Sequence, residues 1–153
     1  IDRIDFFVPV ENADGFEEFL FVKEGVEKKI GEDYENFRIE QGIPEFGKDY
    51  DEGYMVLELG FDRLISYEKG CYTGQEVVAR MKAYQGQIAR KIVRLKFDSN
   101  LKIKNKDKLF KNSKEVGFVT SVGKGFCLAT VKKGFFEKGM ELENENKEKV
   151  SVI

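Results

Sequence analysis

Among the 153 residues of this chain there is no histidine. That absence removes the Ser-His-Asp and Cys-His nucleophile pairs, the H-E-x-x-H zinc site and imidazole acid-base catalysis from anything the chain does alone. Cysteine is scarce as well. Cys71 and Cys127 are the whole supply, they form no C-x-x-C pair, and two thiolates fall short of the four ligands usual for structural zinc or an iron-sulfur cluster. No metal site is expected. No apolar run approaches the length that crosses a bilayer and no charged-then-apolar leader is present, so the expectation is a soluble chain of the cytoplasm or an equivalent compartment. The phosphate-loop pattern G-x-x-x-x-G-K-[ST] is missing, and Gly123-Lys124-Gly125 reads as a turn. A formal net charge of -2 gives no overall pull towards nucleic acid or anionic lipid.

What the chain does have is apolar bulk: 41% hydrophobic residues, with 14 phenylalanines, enough for a real core. Its most informative stretch is Lys69-Gly70-Cys71-Tyr72-Thr73-Gly74-Gln75-Glu76. Thr73 and Glu76 have the spacing of a capping box, which makes Thr73 the expected N-cap of a helix. Cys71 then stands two residues outside, near the positive helix end and beside Lys69, and both charges favour thiolate over thiol. The competing reading is a small buried hydrophobe. Cys127, which alternates with Ala129 and Val131 along a strand, takes that reading and serves as the internal comparison.

The rest of the pattern is α+β. A strand is expected over Arg3 to Val8, then a helix starting at Asp14 with Phe16, Phe19 and Leu20 towards the core. A second helix is expected from about Gly31 to Gln41, with Ile30, Tyr34 and Phe37 along one stripe and Gly42 and Pro44 as its stop. Met55 to Leu59 reads as a short apolar helix or strand. The helix after Thr73 buries Val77, Val78 and Met81 and ends at Gln85-Gly86. From about Gln87 onward short alternating strands are divided by turn residues, with candidates at Val116 to Val122, Phe126 to Lys132, Met140 to Leu142 and Val150 to Ile153. A small antiparallel barrel follows, because closure removes exposed edges. The expected domains are 1–86 and 87–153. Between them lies a basic stripe of Arg80, Lys82, Arg90, Lys91, Arg94 and Lys96, read either as wet faces of a helix and a strand or as a rim for an anionic ligand.

The octapeptide around Cys71 resembles the signature of the YgfZ-type folate-binding proteins, relatives of the glycine-cleavage T-protein (aminomethyltransferase). A second block, Arg38-Ile39-Glu40-Gln41-Gly42-Ile43-Pro44, resembles the R-x-E-x-G-[IM]-P segment of the same families and precedes the cysteine, as in their order. The resemblance covers the C-terminal half of proteins about twice as long, and with Ile1 in place of an initiator methionine it implies a fragment or processed form. It implies a T-protein-like folate-binding fold, incomplete at its N-terminus, followed by the barrel. The function implied is a tetrahydrofolate-binding factor for assembly or repair of iron-sulfur proteins, with an effect on tRNA modification. Its partners would be folate, iron-sulfur clients or assembly factors and, more weakly, tRNA, with no membrane and a monomeric chain. The alternatives are a folate-dependent aminomethyltransferase and a non-catalytic RNA- or protein-binding scaffold. On this reading Cys71 and Lys69 carry thiol chemistry, while Arg38, Glu40, Tyr72, Gln75 and Glu76 hold folate. The stretch Val56 to Gly60 departs from the family's Pro-x-Glu-Ala-Gly sequence, which lowers the expectation for Glu58.

Overall fold

The structure, a computed structural model, describes residues 4, 6–61, 64–83 and 88–153, with the backbone alone for 81–83. It divides into two compact units, Ile1–Glu35 and Asn36–Ile153.

In the first unit a short helix, α1 (Ala13–Glu17), widens without a break into a π-helical turn over Glu18–Lys23. Phe6 and Phe16 stack at 5.2 Å, and Lys28 pairs with Glu17 at 2.5 Å. Phe16 and Leu20 are half-buried, but Phe19 is exposed, so only part of the expected apolar stripe is covered. Of the strand expected over Arg3 to Val8, Arg3 and Asp5 lie outside the described residues. Ile4 and residues 6–8 form no strand.

Helix α2 (Gly31–Glu40) matches the expected span but not the expected face. Ile30 and Tyr34 are exposed, and the buried residues are Arg38 and Ile39. The physical reason is the barrel wall described below, which offers α2 hydroxyls and a carboxylate as well as apolar side chains. Gly42, at φ 70°, stops the helix, and the Ile43 amide bonds back to the Arg38 carbonyl at 2.8 Å, a left-handed C-terminal cap. A 3-10 turn over Val56–Leu59 follows, ended by Gly60 at φ 75°.

Six strands close into a barrel in the order β1-β4-β3-β2-β5-β6. They are β1 (Arg90–Lys96), β2 (Lys108–Lys111), β3 (Lys114–Val122), β4 (Phe126–Lys132), β5 (Glu141–Glu143) and β6 (Lys149–Val152). All neighbours are antiparallel. Leu95, Leu109, Val116, Val119, Cys127, Ala129, Val131, Leu142 and Val150 fill the interior, each essentially sealed from solvent. The β2–β3 hairpin turns on Asn112 and Ser113, both with positive φ, the backbone that a tight hairpin requires. Sequence reading anticipated the turn but not β2 itself.

A smaller apolar cluster lies on the outer wall, where Ile39 packs with Ile92 and Leu128 and is flanked by Tyr50, Tyr54, Leu59 and Phe126. The segment from Asn36 to Gly60 is therefore fastened across β1, β4 and β3. Among the described residues no helix is long and apolar enough to cross a membrane.

Candidate functional site

The two motif blocks build two clusters. In the first, Arg38 is 1% exposed and fully engaged with protein. Its Nη1 donates to Asp49 Oδ2 at 2.7 Å and to the Ile43 carbonyl at 3.2 Å, and its Nη2 to the Ser121 hydroxyl at 3.0 Å. Its Nε lies 3.2 Å from Glu45 Oε2. Asp49 is equally well held, with Thr120 Oγ1 donating to Oδ1 at 2.6 Å and the Glu45 amide to Oδ2 at 3.0 Å. The receiving wall is made by an irregularity in β3. Val119 faces Ala129 and Ser121 faces Leu128, which leaves Thr120 as an extra residue. That bulge sets two consecutive hydroxyls on the outer surface. Arg38 is thus a fastening in this structure, whereas the family resemblance makes it an anchor for folate. Glu40 is exposed, and its carbonyl accepts from Arg94 Nη1.

In the second cluster Cys71 is exposed. Lys69 Nζ sits 4.4 Å from the centre of the Tyr72 ring, a cation-π contact, so the ammonium is held on a half-buried aromatic face. The helix, α3 (Gln75–Ala83), starts two residues later than the expected cap. The reason is Gly74 at φ 85°, a left-handed turn that cannot lie inside a helix and puts Thr73 outside it. Gln75 takes over at this turn, its Oε1 accepting from the Tyr72 amide at 3.1 Å. Glu76 is exposed in the first turn of α3. Val77 is exposed and Val78 half-buried. The Met81 and Lys82 side chains, and the expected stop at Gln85-Gly86, fall outside the described residues.

Cys127 behaves differently. It is sealed in the barrel, and burial first, with the Asp107 carboxylate second, pushes its thiol up to about 12. Alkylation of the native protein near neutral pH should therefore modify Cys71 and spare Cys127, and denaturant should bring the two to similar rates. Site-resolved mass spectrometry checks this, and equal native labelling would contradict the sealed barrel.

Glu58 was undervalued by the sequence reading. It is buried, accepts from the Met55 amide at 3.0 Å and lies 3.4 Å from Arg90 Nε. The Arg90 guanidinium also stacks 3.8 Å from the Tyr54 ring centre and donates to the Gly53 carbonyl at 2.6 Å. Tyr54 in turn shares a 2.7 Å hydrogen bond with Thr130. A lone acid inside the apolar run Met55 to Leu59 was the available signal, since such an acid needs a partner. The basic stripe accordingly loses its two arginines to internal contacts. Arg90 holds the 3-10 turn and Arg94 holds the end of α2, while Arg80 and Lys96 remain exposed.

No protein-family model matches the chain. Among curated proteins it is 39% identical over 79 residues to the mitochondrial iron-sulfur cluster assembly factor IBA57 homolog of Dictyostelium discoideum, across 48% of this chain and 19% of that protein. It is 26% identical over 135 residues to an aminomethyltransferase of Thermoanaerobacter, across 78% of this chain and 35% of that protein. The chain thus spans well under two thirds of the length of either relative. Among solved structures, glycine cleavage system aminomethyltransferase T from Bartonella henselae superposes with a TM-score of 0.72 at 22% identity, covering 95% of this chain and 43% of that one. The chain therefore has the α+β fold of part of a glycine-cleavage T-protein, closed antiparallel barrel included.

Proposed function

We propose that this chain is part of a tetrahydrofolate-binding factor that assembles or repairs iron-sulfur proteins, with Cys71 as its reactive thiol. The observation that carries the reading is the exposed Cys71 in a Lys-Gly-Cys-Tyr turn on a T-protein fold. Similarity to an iron-sulfur cluster assembly factor supports it. Tyr72 and Glu76 fit a pterin, the first through its half-buried ring and the second through an exposed carboxylate able to accept paired N–H groups. Gln75 shapes the turn that presents them, and Glu40 lies exposed at the end of the Arg38 block. Arg38 does not fit a ligand role while its donors are taken by Asp49, Glu45, Ser121 and Ile43, so its part is to hold that block in place. Bound tetrahydrofolate would supply a one-carbon carrier. Lys69, held on Tyr72, would keep positive charge near the thiol.

Residues 1–86 are read as the incomplete folate domain and 87–153 as the barrel domain. Membership in the YgfZ branch, action in the cytoplasm or an equivalent compartment, a monomeric state, iron-sulfur clients and an effect on tRNA modification all belong to this proposal. The second reading is a folate-dependent aminomethyltransferase, favoured by the longer match to that enzyme and by the fold.

Cys71→Ser separates the two. In cells lacking the protein, this variant should fail to restore iron-sulfur enzyme activity, while its tetrahydrofolate affinity by calorimetry stays within a few-fold of the unmodified protein. Full restoration of iron-sulfur enzymes by Cys71→Ser would sink the thiol assignment, and one-carbon transfer from an aminomethyl donor would favour the transferase.

A further inference from the structure

Strand β1 is matched unequally on its two sides. Every residue from Arg90 to Lys96 pairs with β4, but β6 pairs only with Leu95 and Lys96, and the last bond on that side runs from the Ile153 amide to the Arg94 carbonyl at 3.0 Å. In an antiparallel ladder alternate residues turn their backbone groups to opposite neighbours. The Ala89 carbonyl accepts from Lys133, next to β4, and the Arg94 carbonyl accepts on the β6 side. Ile92 therefore presents its N–H and C=O towards the β6 side, beyond the point where β6 pairing stops.

A cavity of about 270 Å³ opens there, walled by Ile92, Val93 and Arg94 of β1 together with Val152, Ile153 and Gly60. Gly60 keeps it clear, because a Cβ at that position would lie 3.4 Å from the Ile92 carbonyl oxygen. Lys91, Arg94 and Lys138 give the cavity three cations, and no Asp or Glu side chain lines it. That is a marked bias in a chain whose acids outnumber its bases by 28 to 26.

We propose that this seam takes an extended, acidic peptide segment from a partner protein, added as a short antiparallel strand beside Ile92 with a carboxylate reaching the Lys91, Arg94 and Lys138 rim. The stretch Arg90–Val93, left without β6 pairing, is about 13 Å long at the usual strand rise. Strand addition supplies affinity through main-chain hydrogen bonds and selectivity through the flanking side chains, and here the flanking side chains are cationic. A small organic acid would engage the same cations without needing the backbone edge. This inference stands apart from the folate reading and does not depend on it.

The test is amide chemical-shift titration of the isotopically labelled chain at low ionic strength, where rim charges are least screened. The probes are a blocked Val-Glu-Val-Glu-Val peptide, its Val-Lys-Val-Lys-Val counterpart, the acidic peptide N-methylated at alternate amides, and glutarate. The acidic peptide should give saturable shifts at Ile92, Val93, Arg94 and Ile153, and the other three probes should not. Lys138→Glu should weaken that binding by about fivefold or more, while Arg80→Glu on α3 leaves it unchanged. Absence of saturable shifts at those amides would overturn the proposal. So would an equal response to glutarate or to the N-methylated peptide, which would make the seam a simple anion pocket.

Discussion

Arg38→Ala is expected to lower folding stability by about 3–5 kcal/mol, the usual result of removing one partner from a buried ion pair. The loss comes chiefly from what remains behind. Asp49 would keep its place under the barrel wall with its charge answered only by Thr120 and the Glu45 amide. Arg38→Lys should recover little, because a single ammonium cannot reach the Asp49 carboxylate, the Ser121 hydroxyl and the Ile43 carbonyl together as the guanidinium fork does. A double-mutant cycle with Asp49→Ala should show the paired loss well below the sum of the single losses, since either change alone strands a charge. Denaturant unfolding of the four proteins gives the numbers. A loss under about 1 kcal/mol for Arg38→Ala, together with collapsed tetrahydrofolate affinity, would return Arg38 to the ligand.

Gly117→Ala is the second large effect, and it acts on the barrel itself. Gly117 lies on β3 between Leu109 of β2 and Val131 of β4. A Cβ built there would come within 2.2 Å of the Thr130 carbonyl oxygen and 3.0 Å of the Val131 Cα. Both obstacles are backbone, so relief requires β3 and β4 to separate along a ladder that runs through the middle of the barrel. Overpacking of this kind costs about 1–3 kcal/mol, occasionally more, and the rigidity of the obstacle places this site at the upper end. Thermal unfolding of Gly117→Ala beside Gly15→Ala makes the comparison, because the Gly15 site has nothing within 4 Å of a built Cβ. Equal melting points for the two variants would mean that the sheet yields more easily than the geometry implies.

The barrel was legible from the sequence because its alternation is clean. Cys127, Ala129 and Val131 face inward as read, and Phe126–Lys132 is a strand along its whole expected length. Strand β2 was not legible, since Lys108–Lys111 is four residues long with lysine at both ends, and only its pairing with β3 and β5 defines it. Helix α2 was placed well and faced wrongly for a related reason. Periodicity counts apolar letters, whereas the wall that receives α2 includes the Thr120 and Ser121 hydroxyls presented by a bulge. No local pattern announces a bulge in a strand that far along the chain. At the candidate site the motif located Cys71 and its exposed turn, but the Thr73 cap failed because a left-handed Gly74 outranks a capping-box spacing. Arginine and glutamate were harder still. Whether Arg38, Glu58 and Arg90 meet ligand or protein depends on partners tens of residues distant, and sequence spacing carries no information about those.

The Thr120–Ser121 bulge also imposes an order of assembly. Asp49 meets Thr120 across 71 positions and Arg38 meets Ser121 across 83, so these bonds carry the loop-closure entropy of long-range contacts and form slowly compared with neighbouring hairpins. The hydroxyl pair exists as a pair only once β3 has registered on β4. Until then the segment from Asn36 to Gly60 has no surface to read, and its buried arginine and aspartate stand in water. The barrel hairpins must therefore mature first, with the motif-bearing segment arriving last. On a ribosome that segment would wait through the synthesis of nearly the whole remaining chain before it could settle.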